Sequence, residues 1–317
     1  MRKSPAGCGA RLALAALRLK WRSWADLALS GIDEAHHRMR TAVAQFWRPL
    51  LGLCALAATA GSLMLSALPS IGHSAEVYAL LSKSGKPAYI MLVGPVEQGD
   101  TERLIAKIVK VLDLGHDIEG LHLYSPGGNA IEGVRLARTI REFSLTTFAP
   151  QGKEGAFRCH IPSISSPSQV ASIRENCLCA SACAIAWLGG IERRGVPGFH
   201  RAYNPDPMTK YSDVRRGIQQ VMAEFGALLN EIQTPSWLRD IIMATEGSGI
   251  YYLDNRDQKE LAWDPTFRDH AEIVCDAAQG IDRRFYACLD DLQLRVVREA
   301  YATLRSASQQ PARRPAQ

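Results

Sequence analysis

No Asp, Glu, Lys or Arg stands among the 27 residues between Arg48 and Glu76. The chain also has no G-x4-G-K-S/T loop, so it carries no nucleotide-driven motor of that type, and any unfolding partner is a separate chain. It has no internal repeat and no C-x2-C pair, the spacing that a zinc site most often uses. Its net charge of +5 is not spread over the whole length: residues 1–48 hold nine Lys/Arg against Asp26, Asp33 and Glu34. The rest is close to neutral and offers no concentrated basic face for nucleic acid. Hydrophobic residues at 47% and charged residues at 22% are ordinary for a globular protein, and 317 residues suit one domain with flanking segments.

The uncharged stretch, centred on Leu51–Leu68, is long enough to cross a bilayer, for which about 20 apolar residues suffice. Basic residues before it hold the N-terminus in the cytoplasm and send residue 76 onward outside. This gives a basic cytoplasmic segment over 1–48, a transmembrane or signal segment over 49–75, a domain over 76–302 and a disordered tail over 303–317. Translation from Met39 would make the same stretch a signal peptide cut near Ser74-Ala75, and a buried core helix is the third reading. The first two put the body at the inner membrane facing the periplasm, or free in the periplasm. Cysteine usage agrees with export: Cys159, Cys177, Cys179, Cys183, Cys275 and Cys288 form an even set in the body, as disulfides require. A Cys275–Cys288 pair is plausible across one helical connection, and connectivity stays open. A zinc site from Cys177, Cys179 and Cys183 has unfavourable C-x-C-x3-C spacing, so no metal or other cofactor is expected.

From residue 87 the pattern alternates between strand and helix. Ala88–Val93 is a short apolar run closed by Gly94-Pro95. Asp100-Thr101 can cap a helix presenting Leu104, Ile105, Ile108, Val109 and Leu112. Leu121–Tyr124 is the next strand, followed by Ser125-Pro-Gly-Gly-Asn129 and a helix bearing Ile131, Val134, Leu136, Ala137 and Ile140. Leu145–Phe148 is a third strand. Residues 150–176 are polar and aperiodic and read as an inserted loop. After it come the apolar run Ala180–Leu188, a strand at Val196–Phe199 and an amphipathic helix over about 213–232. A helix starting at Thr234-Pro235 follows, then a strand at Ile250–Leu253 with Asp254 as a cap. Repeated strand–helix units imply an α/β fold with a largely parallel sheet.

Three motifs carry chemistry. Ser125-Pro-Gly-Gly-Asn129 joins a strand to a helix, and its glycines let backbone N–H groups turn toward a developing oxyanion. Cys179-Ala-Ser-Ala-Cys183 surrounds one hydroxyl with small neighbours, so a carbonyl can approach Ser181, and the N–H of Ala182 can be a second oxyanion donor. Gly198-Phe-His200 puts a histidine at a strand end, and a serine nucleophile needs a base with a near-neutral pKa.

In this order, Gly94-Pro-Val-Glu97, Ser125-Pro-Gly-Gly128, Ala180-Ser-Ala182 and Gly198-Phe-His200 resemble the proteolytic subunit of the Clp protease and the wider crotonase-fold serine peptidases, over about residues 87–264. The resemblance implies repeated strand–strand–helix units, Ser181 as nucleophile, His200 as base within hydrogen-bond reach, and Gly128 and Ala182 as converging oxyanion donors. It implies a peptide or protein substrate and a homo-oligomer; the uncharged stretch adds a membrane contact through 49–75, and the near-neutral body no nucleic acid. The chain departs from the family at Cys183, where the family has glycine, and in a shorter Ser-to-His interval. The family's third catalytic residue, an aspartate, falls here on Ser248 or Ile250, leaving Glu246 and Asp254 as candidates. The alternatives are a non-catalytic peptide-binding or scaffold protein of the same fold and, further off, acyl-CoA chemistry.

Overall fold

The computed structural model describes residues 74–81, 88–203, 209–277 and 281–309. The basic segment and the expected span, up to residue 73, lie outside the described residues. Among the described residues no helix is long and apolar enough to cross a membrane.

One mixed sheet organises the domain, in the order β1 (Glu76–Leu81), β2 (Ala88–Val93), β3 (Ile118–Tyr124), β4 (Thr147–Phe148) and β5 (Arg193–Arg194). β1 runs antiparallel to β2, and every later pairing is parallel. A strand covered on both faces reads as a continuous apolar run, which is why β2 shows no alternation. Ile90 and Leu92 face a core shared with Leu104, Ile108, Leu136 and Ile140, while Met91 and Val93 pack with Tyr124 and Ile173 on the other side.

The first core is closed by α1 (Asp100–Asp113), α2 (Ala130–Glu142) and α4 (Ala182–Trp187). Gly99, not Asp100, is the residue before α1, and the Asp100 carboxylate accepts the Glu97 N–H at 2.7 Å and pairs with Arg103. Asn129 caps α2 by accepting the Glu132 N–H at 3.1 Å. α4 is built from small residues and seats directly on α2. A Cβ at Gly133 would stand 2.6 Å from the Ala182 carbonyl oxygen, so only glycine permits that approach. β6 (Gly198–Phe199) pairs antiparallel with β7 (Tyr251–Tyr252). The remaining helices are α3 (Pro167–Glu175), α5 (Tyr211–Glu231), α6 (Ser236–Ala244), α7 (Asn255–Leu261), α8 (Pro265–Val274) and α9 (Arg283–Gln309).

Two expectations are corrected. Residues 150–176 are not wholly loop, because α3 forms there behind a Ser166/Gln169 capping box with Pro167 in its first turn, and Ile173 anchors it to the sheet. The C-terminal helix runs to Gln309, past the expected tail start at 303, and Leu304 packs against the main core; residues 310–317 lie outside the described residues. The six body cysteines form three disulfides, Cys159–Cys177, Cys179–Cys183 and Cys275–Cys288, so each sulfur weighed for zinc is bonded to another sulfur. Disulfides of this kind persist in oxidising compartments.

Candidate active site

β3 does not end the sheet at Tyr124. The Ser125 N–H donates to the Leu178 carbonyl at 2.7 Å, the Ala180 N–H donates to the Ser125 carbonyl at 3.1 Å, and the Gly198 N–H donates to the Cys179 carbonyl at 2.8 Å. Residues 178–180 therefore act as one more strand segment between β3 and β6, and the motif residues follow the carboxyl ends of these segments, where open α/β sheets commonly place ligands.

The Pro-Gly-Gly turn is shaped from within. The buried Ser125 hydroxyl accepts the Gly127 N–H at 3.1 Å, and Gly127 and Gly128 take φ of 107° and 136°, which side-chain-bearing residues avoid. Space imposes the same choice. A Cβ on Gly127 would lie 2.5 Å from Ser181 Cβ, and one on Gly128 would lie 2.2 Å from the Val96 carbonyl oxygen. Val96 N–H donates to Gly127 O at 2.7 Å and Asn129 N–H to Val96 O at 2.8 Å. The Gly128 N–H between them has no hydrogen-bond partner among the described residues. Neither does the Ala182 N–H, the first of α4.

Ser181 stands at φ 57° and ψ −122°, a conformation rare for any residue with a side chain. Its N–H donates to the Gly198 carbonyl at 2.9 Å, tying it to the strand that carries His200. His200 Nδ1 lies 2.8 Å from the Arg201 carbonyl oxygen; a carbonyl only accepts, so Nδ1 donates, and in the neutral ring the lone pair is then on Nε2. The Tyr203 ring meets the imidazole edge-on, with centroids 5.5 Å apart.

Ser181, His200 and Gly128 line one cleft, together with Pro126, Ala130 and Val221. It holds about 460 Å³ and opens to solvent, so it has room for a chain segment and not only for water. A smaller apolar recess adjoins it, walled by Ile185, Phe199, Met222, Phe225 and Ile242, and it also reaches Ser181 and His200. No hydrogen bond joins Ser181 to His200 among the described residues, although both border the same cavities.

The two candidate third members make no hydrogen bond to this base among the described residues. Asp254 caps α7, accepting the Arg256 and Asp257 N–H groups at 2.7 and 2.9 Å. Glu246 is exposed on a segment beside the base, where the Thr245 carbonyl accepts the Arg201 N–H at 3.0 Å. Neither carboxylate bonds to His200 among the described residues. There, too, no group of three His, Cys, Asp or Glu side chains is placed to hold a metal ion. Sequence reasoning missed the contact of Gly127 with Ser181 and the Arg201 carbonyl. The Cys179–Cys183 bond was signalled only by two cysteines placed symmetrically about Ser181.

No family model and no curated protein sequence matches the chain. Among solved structures, it is similar to a point mutant of ClpP1 from Listeria monocytogenes at 11% identity and a TM-score of 0.37, covering 55% of this chain and 86% of that one. That superposition is too loose to carry an argument, so the functional reading rests on the site itself.

Proposed function

We propose that this cleft hydrolyses peptide bonds through Ser181 and His200. The observation that carries the reading is Ser181 itself: a strained residue on a cleft that His200 also lines, with the Gly128 and Ala182 N–H groups unpaired among the described residues. Backbone strain of this kind collects where function needs it.

In the proposed reaction, Ser181 Oγ attacks the scissile carbonyl carbon while His200 Nε2 takes the hydroxyl proton. The tetrahedral oxyanion receives hydrogen bonds from the Gly128 and Ala182 N–H groups. His200 then returns the proton to the departing amine, and water cleaves the acyl-Ser181 ester by the same route in reverse. Next to the reacting carbonyl, the recess of Ile185, Phe199 and Phe225, at about 30 Å³, takes only a small apolar group. The Arg201 carbonyl orients the imidazole but brings only a partial negative charge to the imidazolium, so turnover is expected to be slower than with a carboxylate there. The Ser181–His200 hydrogen bond would form on substrate binding, when such contacts commonly tighten. The work is proposed to occur in the periplasm on peptide or protein substrate, with the chain anchored or exported through residues 49–75.

A fluorophosphonate probe tests this. Labelling should map to Ser181, vanish in Ser181→Ala and fall roughly 100-fold or more in His200→Ala, with thermal melting unchanged. A wild-type protein that ignores the probe while binding peptide in the cleft would favour the non-catalytic reading, which draws on the missing Ser181–His200 bond and orienting carboxylate.

A further inference from the structure

Ser181 needs external restraint to hold its left-handed turn. Its two arms are anchored differently: Cys179 and Ala180 belong to the sheet extension, while Ala182 and Cys183 begin α4. The Cys179–Cys183 disulfide joins those arms across the turn, with their Cα atoms 5.2 Å apart, closing a ring whose central residue is Ser181. Both cysteines are fully buried.

Stability is a weak reason for this bond. A crosslink removes less unfolded-state freedom as its loop shortens, and this one has a sequence separation of 4, against 18 and 13 for the other two. What the short ring does restrict is the geometry of residues 180–182, which hold the nucleophile and one oxyanion donor. The bond thus stands where local restraint counts most and chain entropy least.

We infer that the Cys179–Cys183 disulfide is a positioning element for Ser181: it clamps the turn so that the hydroxyl stays in the cleft and the Ala182 N–H stays unpaired. Its catalytic consequence rests on the peptidase reading, and its backbone consequence does not. In Cys179→Ala/Cys183→Ala, the amides of Ser181 and of position 183 should exchange hydrogen faster while β2 and β3 keep their protection. Fluorophosphonate labelling at Ser181 should slow roughly 10- to 100-fold, the scale of an ångström-level misplacement, and kcat on a peptide should fall with KM unchanged. Opening the distant pair, Cys275→Ala/Cys288→Ala, should move neither readout. Should the first variant not fold, Cys179→Ser/Cys183→Ser, closer in size to the thiols, serves for the same measurements.

Wild-type exchange at the Ser181 amide after the bond is opened overturns the inference whether or not the protein is a peptidase. Faster exchange there in a protein whose wild type never labels upholds the clamp and sinks the peptidase reading. Wild-type labelling that is undiminished by loss of the bond overturns the clamp and leaves the peptidase reading standing.

Discussion

At the scale of single residues, Gly127 is held to glycine twice over, by φ 107° and by the 2.5 Å that would separate its Cβ from Ser181 Cβ. Gly127→Ala must displace Ser181 or open the turn. We expect it to lose most probe labelling and to destabilise the fold by about 1–3 kcal/mol, the range for one strained residue; urea titration alongside labelling checks both, and a silent substitution would mean that the turn is not rigid. Much of this site could be read from the sequence, because hydroxyl, imidazole and the glycine pair are all written in residue types. What orients His200 could not. A backbone carbonyl has no letter of its own, and the carboxylates that did have letters, Glu246 and Asp254, bond elsewhere or face solvent.

Between elements, charge and aromatic packing decide how the sheet is covered. Asp264 is buried and serves three partners: it accepts the Phe267 N–H at 3.0 Å at the head of α8, pairs with Arg141 of α2 and lies 3.5 Å from Arg193 Nη2 of β5. Burial first, and then Arg141, pulls the Arg193 pKa down to about 9. Removing the carboxylate that the two guanidiniums share leaves the buried Arg193 charge without its ion pair, so Asp264→Asn should cost about 3–5 kcal/mol in urea unfolding. In the sequence Asp264-Pro265 reads only as a helix start, since the arginines come from distant segments. Across the sheet, His122 of β3 stacks on Phe148 at 4.5 Å and sits 3.1 Å from the Tyr124 hydroxyl, under the loop that carries His160. Burial chiefly, and His160 secondarily, depresses its pKa from 6.5 to about 3. The folded state therefore refuses a proton that the unfolded chain accepts. Stability from this residue is complete above pH 6.5 and is lost as pH falls toward 3, at about 1.4 kcal/mol per pH unit. His122→Phe keeps the stacking and should remove that slope; an unchanged slope would assign the acid sensitivity to other groups.

For the whole molecule, apolar runs buried on both faces made the strands legible, and Asn129 and Asp254 marked helix starts by their side-chain oxygens. The α3 segment escaped because its polar composition outweighed the Ser166-Pro-Ser-Gln169 start signal, and only tertiary contacts at Ile173 explain why it folds on the sheet. Disulfide connectivity escaped for a different reason: adjacent cysteines such as Cys177 and Cys179 offer several pairings that only the path of the chain resolves. The resolved pairing makes the compartment testable together with the fate of the N-terminal segment. All six body cysteines are bonded, so protein purified without reductant and then denatured should expose no thiol from residues 76–317. If the uncharged stretch is a retained anchor, Cys8 and Cys54 alone should react with a maleimide reagent. If it is removed near Ser74-Ala75, no thiol should react, and the mass should match a start at that junction. Six further reactive thiols would place the body in a reducing compartment and remove the Cys179–Cys183 clamp from the working protein, leaving Ser181 to be held by backbone hydrogen bonds, its N–H to Gly198 and its carbonyl from Ile185.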